Sequence, residues 1–324
     1  MNKKLLLAIV SVVLSLTAVS SARSQPDLRF SDWAPAVHLP PPINTEYDDH
    51  AAILSKDEKT MYFTSNRPGS IGGSEDIWVS KRKTRNSPWQ TPFNLGPAIN
   101  TPAMERVRSF SDDGRVLVYQ SDRSDGLGQS DIWVISRTRL NDDFGWGEPV
   151  NLGPVINTNS TEIAASFLFA DAGQVNKLFF SSAKPGGFGG PDIYESTIDI
   201  LGFRMPVNVT ELNTASIETC FKVRDDGLEL IFTSNRPNLT GDRREDDLWV
   251  STRNSVYEPW SAPVKLGPNV NVPGEQDVNP SLSFDGRTMF MASKRTGVIG
   301  PGTFDIYVTT RRSIGGTPDD TLSD

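Results

Sequence analysis

One unit is written five times along this chain. The strings SNRPGSIGGSEDIWVS (65–80), SDRSDGLGQSDIWVIS (121–136), SAKPGGFGGPDIYEST (182–197), SNRPNLTGDRREDDLWVS (234–251) and SKRTGVIGPGTFDIYVTT (293–310) share a serine, a cation, a glycine-bearing stretch and an Asp-apolar-aromatic triplet. A second string alternates with the first: WQTPFNLGPAINT (89–101), WGEPVNLGPVINT (146–158), MPVNVTELNT (205–214) and WSAPVKLGPNVNV (260–272). An acid follows each copy, and Asp49, Glu105, Glu162, Glu218 and Asp277 are spaced by 56, 57, 56 and 59 residues. A period this regular means one supersecondary unit that buries its apolar face only against its neighbours.

Each unit reads as four short strands. They are the run after the acid, the apolar run after a turn such as DDG or FDG, the DIW segment, and the stretch around Trp-x-x-Pro. Alternation over four to six residues with Gly, Pro and Asp punctuation is strand chemistry, and Asp-Gly suits a tight hairpin. A four-stranded unit repeated about an axis is a propeller blade. The segment DWAPAVHLPPPIN (32–44) repeats PWQTPFNLGPAIN (88–100), with Trp33, Leu39, Ile43 and Asn44 each 56 residues before Trp89, Leu95, Ile99 and Asn100. It is a fourth strand with no blade in front of it, and the last unit lacks one. The sequence therefore predicts a single all-β, five-bladed propeller from about residue 30 to 316, closed by the N-terminal strand on the last blade, with a polar tail at 317–324.

The recurring side chains read mainly as scaffold. Asp76, Asp131, Asp192, Asp247 and Asp305 open the third strands, where a carboxylate can accept turn N–H groups. Trp78, Trp133, Tyr194, Trp249 and Tyr307 are expected to fill the space between blades. Arg67, Arg123, Lys184, Arg236 and Arg295 recur in phase with the acids and are expected to pair with them.

The N-terminus, MNKKLLLAIVSVVLSLTAVSSARSQ, reads as a secretory signal peptide cleaved after about Ala22, leaving a mature protein in the periplasm or secreted from a bacterium, with no membrane span. The net charge of -8 disfavours nucleic acid as a partner. Two histidines and one cysteine argue against zinc or copper sites. Cys220 is expected to be a small buried hydrophobe, and Asn159, Asn208 and Asn238 stand in glycosylation sequons.

LSKDEKTMYFTSNRPGS, FSDDGRVLVYQSDRSDG, VRDDGLELIFTSNRPN and LSFDGRTMFMASKR, each leading to a D-I-W/Y-type strand, resemble the WD40-like (PD40) β-propeller repeat of the periplasmic TolB-like family. The resemblance covers residues 44 to 312 and implies the propeller fold in an exported bacterial protein. It implies protein binding more often than catalysis, although a few related propellers act on sugars.

A propeller takes ligands at the mouth of its channel, so the starts of the innermost strands supply the candidates. They are Asp48, Asp49, His50, Glu105, Arg106, Arg108, Glu162, Glu218, Lys222, Glu275 and Asp277. Ion pairing with the Arg series, a Ca²⁺ ion held in the channel, and acid/base chemistry by Asp49, Glu105, Glu218 and Asp277 are three open roles for the acids. The sequence leads to a non-catalytic binding or scaffolding protein that holds a protein or a cell-envelope glycan. Its alternative is a carbohydrate-active hydrolase or lyase working with carboxylates at the mouth.

Overall fold

A computed structural model describes residues 29–111, 113–168, 176–237, 245–295 and 303–314. The signal peptide, the polar tail, the Asn238 sequon and residues 241–244 lie outside the described residues.

Strands β1 (Arg29–Phe30) and β2 (Val37–His38) precede the repeats. Blade one comprises β3 (Asp49–Leu54), β4 (Thr60–Ser65), β5 (Asp76–Lys81) and β6 (Phe93–Asn94); blade two, β7 (Glu105–Phe110), β8 (Val116–Ser121), β9 (Asp131–Ser136) and β10 (Val150–Asn151). Blade three comprises β11 (Glu162–Leu168), β12 (Asn176–Ser182), β13 (Asp192–Asp199), a short added β14 (Gly202–Phe203) and β15 (Val207–Asn208). Blade four holds β16 (Glu218–Val223), β17 (Glu229–Ser234), β18 (Asp247–Thr252) and β19 (Val264–Lys265); the last holds β20 (Asp277–Leu282), β21 (Thr288–Ser293) and β22 (Asp305–Thr310). Its fourth strand is β2, with Val37 opposite Val308 and His38 opposite Tyr307. Outside it, β1 pairs with β23 (Ser313–Ile314). The structure is the expected five-bladed propeller closed by its N-terminal strand; β14 had no signal in the repeat.

The five inner strands β3, β7, β11, β16 and β20 form a ring, each packed on the next. The core divides into five apolar clusters, one per blade interface. Ile53, Tyr62, Val107 and Tyr119 fill the junction of blades one and two, and Ile43, Phe63, Phe290 and Ile306 fill the junction that closes the ring.

Polar repeats fasten each blade internally. Asn44, Asn100, Asn157, Asn213 and Asn271 bracket the third strand, the amide oxygen accepting one N–H and the amide nitrogen donating to the carbonyl of the same residue, as Asn100 does with Ile77 at 2.9 and 3.0 Å. The recurring Asp ties the fourth strand to the third: Asn94, Asn151, Asn208, Lys265 and His38 reach Asp76, Asp131, Asp192, Asp247 and Asp305 at 2.6–2.7 Å. The arginine after the third strand lies over the tryptophan of the fourth, as Arg82 over Trp89, Arg137 over Trp146, Arg253 over Trp260 and Arg311 over Trp33, at 4.1–4.6 Å. Blade three lacks this pair and carries β14 in its place.

Candidate functional site

The five recurring acids begin the inner strands, and all five are fully buried. Each is held from several sides. The carboxylate of Glu218 accepts the Thr214 N–H at 2.9 Å, the Thr214 hydroxyl at 2.7 Å and the Ser234 hydroxyl at 3.0 Å, and pairs with Arg236 at 3.0 Å. Arg67 pairs with Asp49, Arg123 with Glu105 at 3.2 Å and Arg295 with Asp277 at 2.9 Å, always within one blade. The other face of each guanidinium lies on the third-strand aromatic, for example Arg123 at 4.8 Å from Trp133. Blade three departs again: Lys184 sits 3.8 Å over Tyr194, and no ion pair joins it to Glu162. Burial raises the carboxyls of Glu105, Glu162 and Asp277, opposed by these hydrogen bonds. The cause is desolvation behind the channel wall, rather than mutual repulsion across a channel.

The channel itself is closed part-way. At the end where the inner strands begin, a cup of about 280 Å³ opens, and below it the shaft narrows to about 20 Å³, room for one water molecule. A smaller hollow of about 80 Å³ lies at the far end. The shaft is blocked by β-bulges. Every inner strand shifts register near its third residue, and the extra residues Ala51, Ala52, Arg108, Ala164, Cys220 and Asn279 line the constriction. Three of them hold left-handed backbone without being glycine: Ala51 at φ 52°, Cys220 at 41° and Asn279 at 54°. Bulges re-aim side chains, and strain of this kind collects where a ligand is held.

The cup carries charge of both signs. Glu75 is clamped by Arg106 and by His50, whose Nε2 lies 3.3 Å from the carboxylate. Burial would raise the Glu75 carboxyl, but hydrogen bonds and charge from His50 and Arg106 outweigh it and hold the group well below the usual range. Asp246 is in the opposite state: burial raises its carboxyl, with Lys294 pulling the other way. Lys294 sits 4.4 Å over Phe304, and Asp48 accepts the Phe304 N–H at 2.9 Å. Arg108 donates to Gln120 Oε1, to Asn279 Oδ1 at 3.4 Å and to Cys220 Sγ at 3.5 Å.

Of the residues nominated from the sequence, Asp48, His50, Arg106 and Arg108 line the cup. Asp49, Glu105, Glu162, Glu218 and Asp277 stand behind it. Lys222 pairs with Asp225 at 2.9 Å at the far hollow, and Glu275 is half-buried in the loop before β20. Cys220 is half-buried in the constriction, bonded through sulfur to Arg108, because the bulge turns it towards the channel; the expectation of a buried hydrophobe was incorrect.

Glu75, Asp246 and Phe304 were missed, and they share a signal. They occupy the position just before the recurring Asp, which reads Glu75, Ser130, Pro191, Asp246 and Phe304 around the ring. The carbonyl of each accepts the N–H of the next blade's acid at 2.8–2.9 Å, which brings the position to the mouth. Its identity is free to vary because only its backbone serves the scaffold. Among the described residues, no group of three or more His, Cys, Asp or Glu side chains is arranged to hold a metal ion, and no helix is long and apolar enough to cross a membrane.

No protein-family profile matches the chain, and no curated protein does. Solved structures do match. An α-L-arabinofuranosidase of Podospora anserina superposes with a TM-score of 0.53 at 12% identity, over 87% of this chain and 97% of its own. An endo-arabinase of Bacteroides thetaiotaomicron gives 0.52 at 14% identity, over 89% and 99%. A TolB of Agrobacterium tumefaciens gives 0.45 at 15% identity, over 83% and 91%, a score too low to argue from. The likeness is one of fold.

Proposed function

We propose that the protein is an exported carbohydrate-active propeller that receives a sugar in the cup, with Asp246 and Glu75 as the carboxylates that act on it. The observation that carries this reading is the pair of opposite electrostatic states at one mouth. Glu75 is held ionised by His50 and Arg106, while burial favours the protonated form of Asp246. Carboxyl groups whose surroundings push them apart in this way divide into acid and base roles. In glycoside hydrolysis, Asp246 would protonate the leaving oxygen as the glycosidic bond breaks, the Glu75 carboxylate would stabilise positive charge developing on the sugar, and water would add to that carbon and return a proton to Asp246. The cup volume of about 280 Å³ suits one small polar ring. An arabinofuranosidase and an endo-arabinase among the structural neighbours support a glycan as the ligand class. Asp49, Glu105, Glu218 and Asp277 are not assigned the chemistry, because they are fully buried and do not line the cup.

The test is an assay of the mature protein on arabinan, galactan, xylan and peptidoglycan oligosaccharides, with binding followed by calorimetry and cleavage by release of reducing ends. Turnover that falls about 100-fold or more in D246N and E75Q, with the fold intact, is the expected result. Binding without turnover would return the protein to the non-catalytic reading, and absence of both would refute a glycan site.

A further inference from the structure

The cation on the floor of the cup has no carboxylate in hydrogen-bond contact among the described residues. Arg108 is the extra residue in the bulge of β7, between the paired Val107 and Ser109, and it borders the cup, the constriction and the far hollow. Its partners, Gln120, Asn279 and Cys220, bring no carboxylate, and its Nε is buried with no hydrogen-bond partner. Arg137 and Arg253 also lack a carboxylate, but they lie flat on Trp146 and Trp260 inside the blades. Arg108 lies on no ring among the described residues. Arg108 is half-buried, and a guanidinium partly withdrawn from water in this way is costly unless something anionic completes it.

The neighbouring acids are engaged elsewhere. Glu75 is taken by Arg106 and His50, and Asp48 accepts the Phe304 N–H. Asp246 accepts from Gln276 Nε2 at 3.2 Å. Lys294, over Phe304, is a second cation bordering the cup without a salt bridge among the described residues. The cup therefore offers a fork-shaped donor, an ammonium and an aromatic ring to one incoming group. Planar guanidinium donors match carboxylates in two-point geometry.

We infer that the cup selects a sugar bearing a carboxylate, a uronic acid residue, whose carboxylate is bound by Arg108 with Lys294 as the second cation. This inference rests on the carbohydrate reading above and narrows its substrate class. It involves no covalent step.

The experiment is titration calorimetry of the mature protein with galacturonate and glucuronate trisaccharides against their neutral galactose and glucose counterparts, in wild type, R108Q and R108K, with acetate as a sugar-free carboxylate. The acidic trisaccharide should bind about tenfold or more tightly than the neutral one. R108Q should bring that ratio near one, R108K should keep part of it, and added salt should reduce it. Should R108Q fail to fold, the wild-type ratio and R108K decide the matter. Equal binding of acidic and neutral sugars overturns the inference and leaves the glycan site standing. Binding of acetate but of no sugar leaves an anion site and overturns this inference, as does no binding by any probe; the carbohydrate reading is then decided by the arabinan, xylan and peptidoglycan assay.

Discussion

Glu218→Ala and Glu162→Ala remove the same recurring acid from two blades whose acids differ in one partner. Both carboxylates accept a threonine N–H, a threonine hydroxyl and a serine hydroxyl. Only Glu218 also meets an arginine, at 3.0 Å, with Arg236 9% and Glu218 0% exposed at the side chain. Losing Glu162 strands neutral donors, worth about 1–3 kcal/mol. Losing Glu218 leaves a buried guanidinium as well, and breaking a buried pair from one side costs about 3–5 kcal/mol. At about 2 °C per kcal/mol for a domain of this size, E218A should melt about 6–10 °C below wild type and E162A about 2–6 °C below. Differential scanning calorimetry at pH 7 measures both. The scaffold account of the acids fails if E218A melts within 1 °C of wild type, or if E162A is the more damaging change.

Two further outcomes follow from the same geometry. Because burial raises the Asp246 carboxyl above its ordinary 3.8, the folded protein binds that proton more tightly than the unfolded chain, and stability is lost as pH rises through the folded value. D246N should therefore melt above wild type at pH 7, with the gap closing towards pH 3.8; a gap of opposite sign would refute the assignment. Glu58 holds φ at 58°, where the equivalent hairpin turns have Gly114, Gly227 and Gly286 at 68–74°. E58G should relieve about 1 kcal/mol of backbone cost and remove a carboxyl that burial already disfavours as an anion, against long contacts to an exposed Arg85 at 3.6 Å and a largely buried Arg82 at 3.9 Å, so its denaturant midpoint should rise.

The blades were legible because their fastenings are sequence-local and repeated. The acid and its threonine are four residues apart, the acid and its arginine are 18 apart in four blades, and the Asn that brackets the third strand lies in the next NLGPAIN string. A contact made at fixed spacing in several blades leaves a periodic mark. The ring closure was legible for the same reason, since Trp33 and Asn44 repeat a strand that no preceding blade owns.

The cup was only partly legible, because the features that build it are outside the repeat's grammar. A bulge leaves no residue type of its own: Ala51, Arg108, Cys220 and Asn279 share a place on the inner strands and no chemistry. Periodicity drew attention to the acids, yet a residue demanded in every blade is bound into every blade, and its lone pairs are spent there. Ligand chemistry needs side chains whose scaffold duties end at the backbone. Glu75 and Asp246 meet that condition, since the ring requires only their carbonyls. In a closed repeat, the position that varies while its main chain stays fixed is where a site can be written without unfolding the ring.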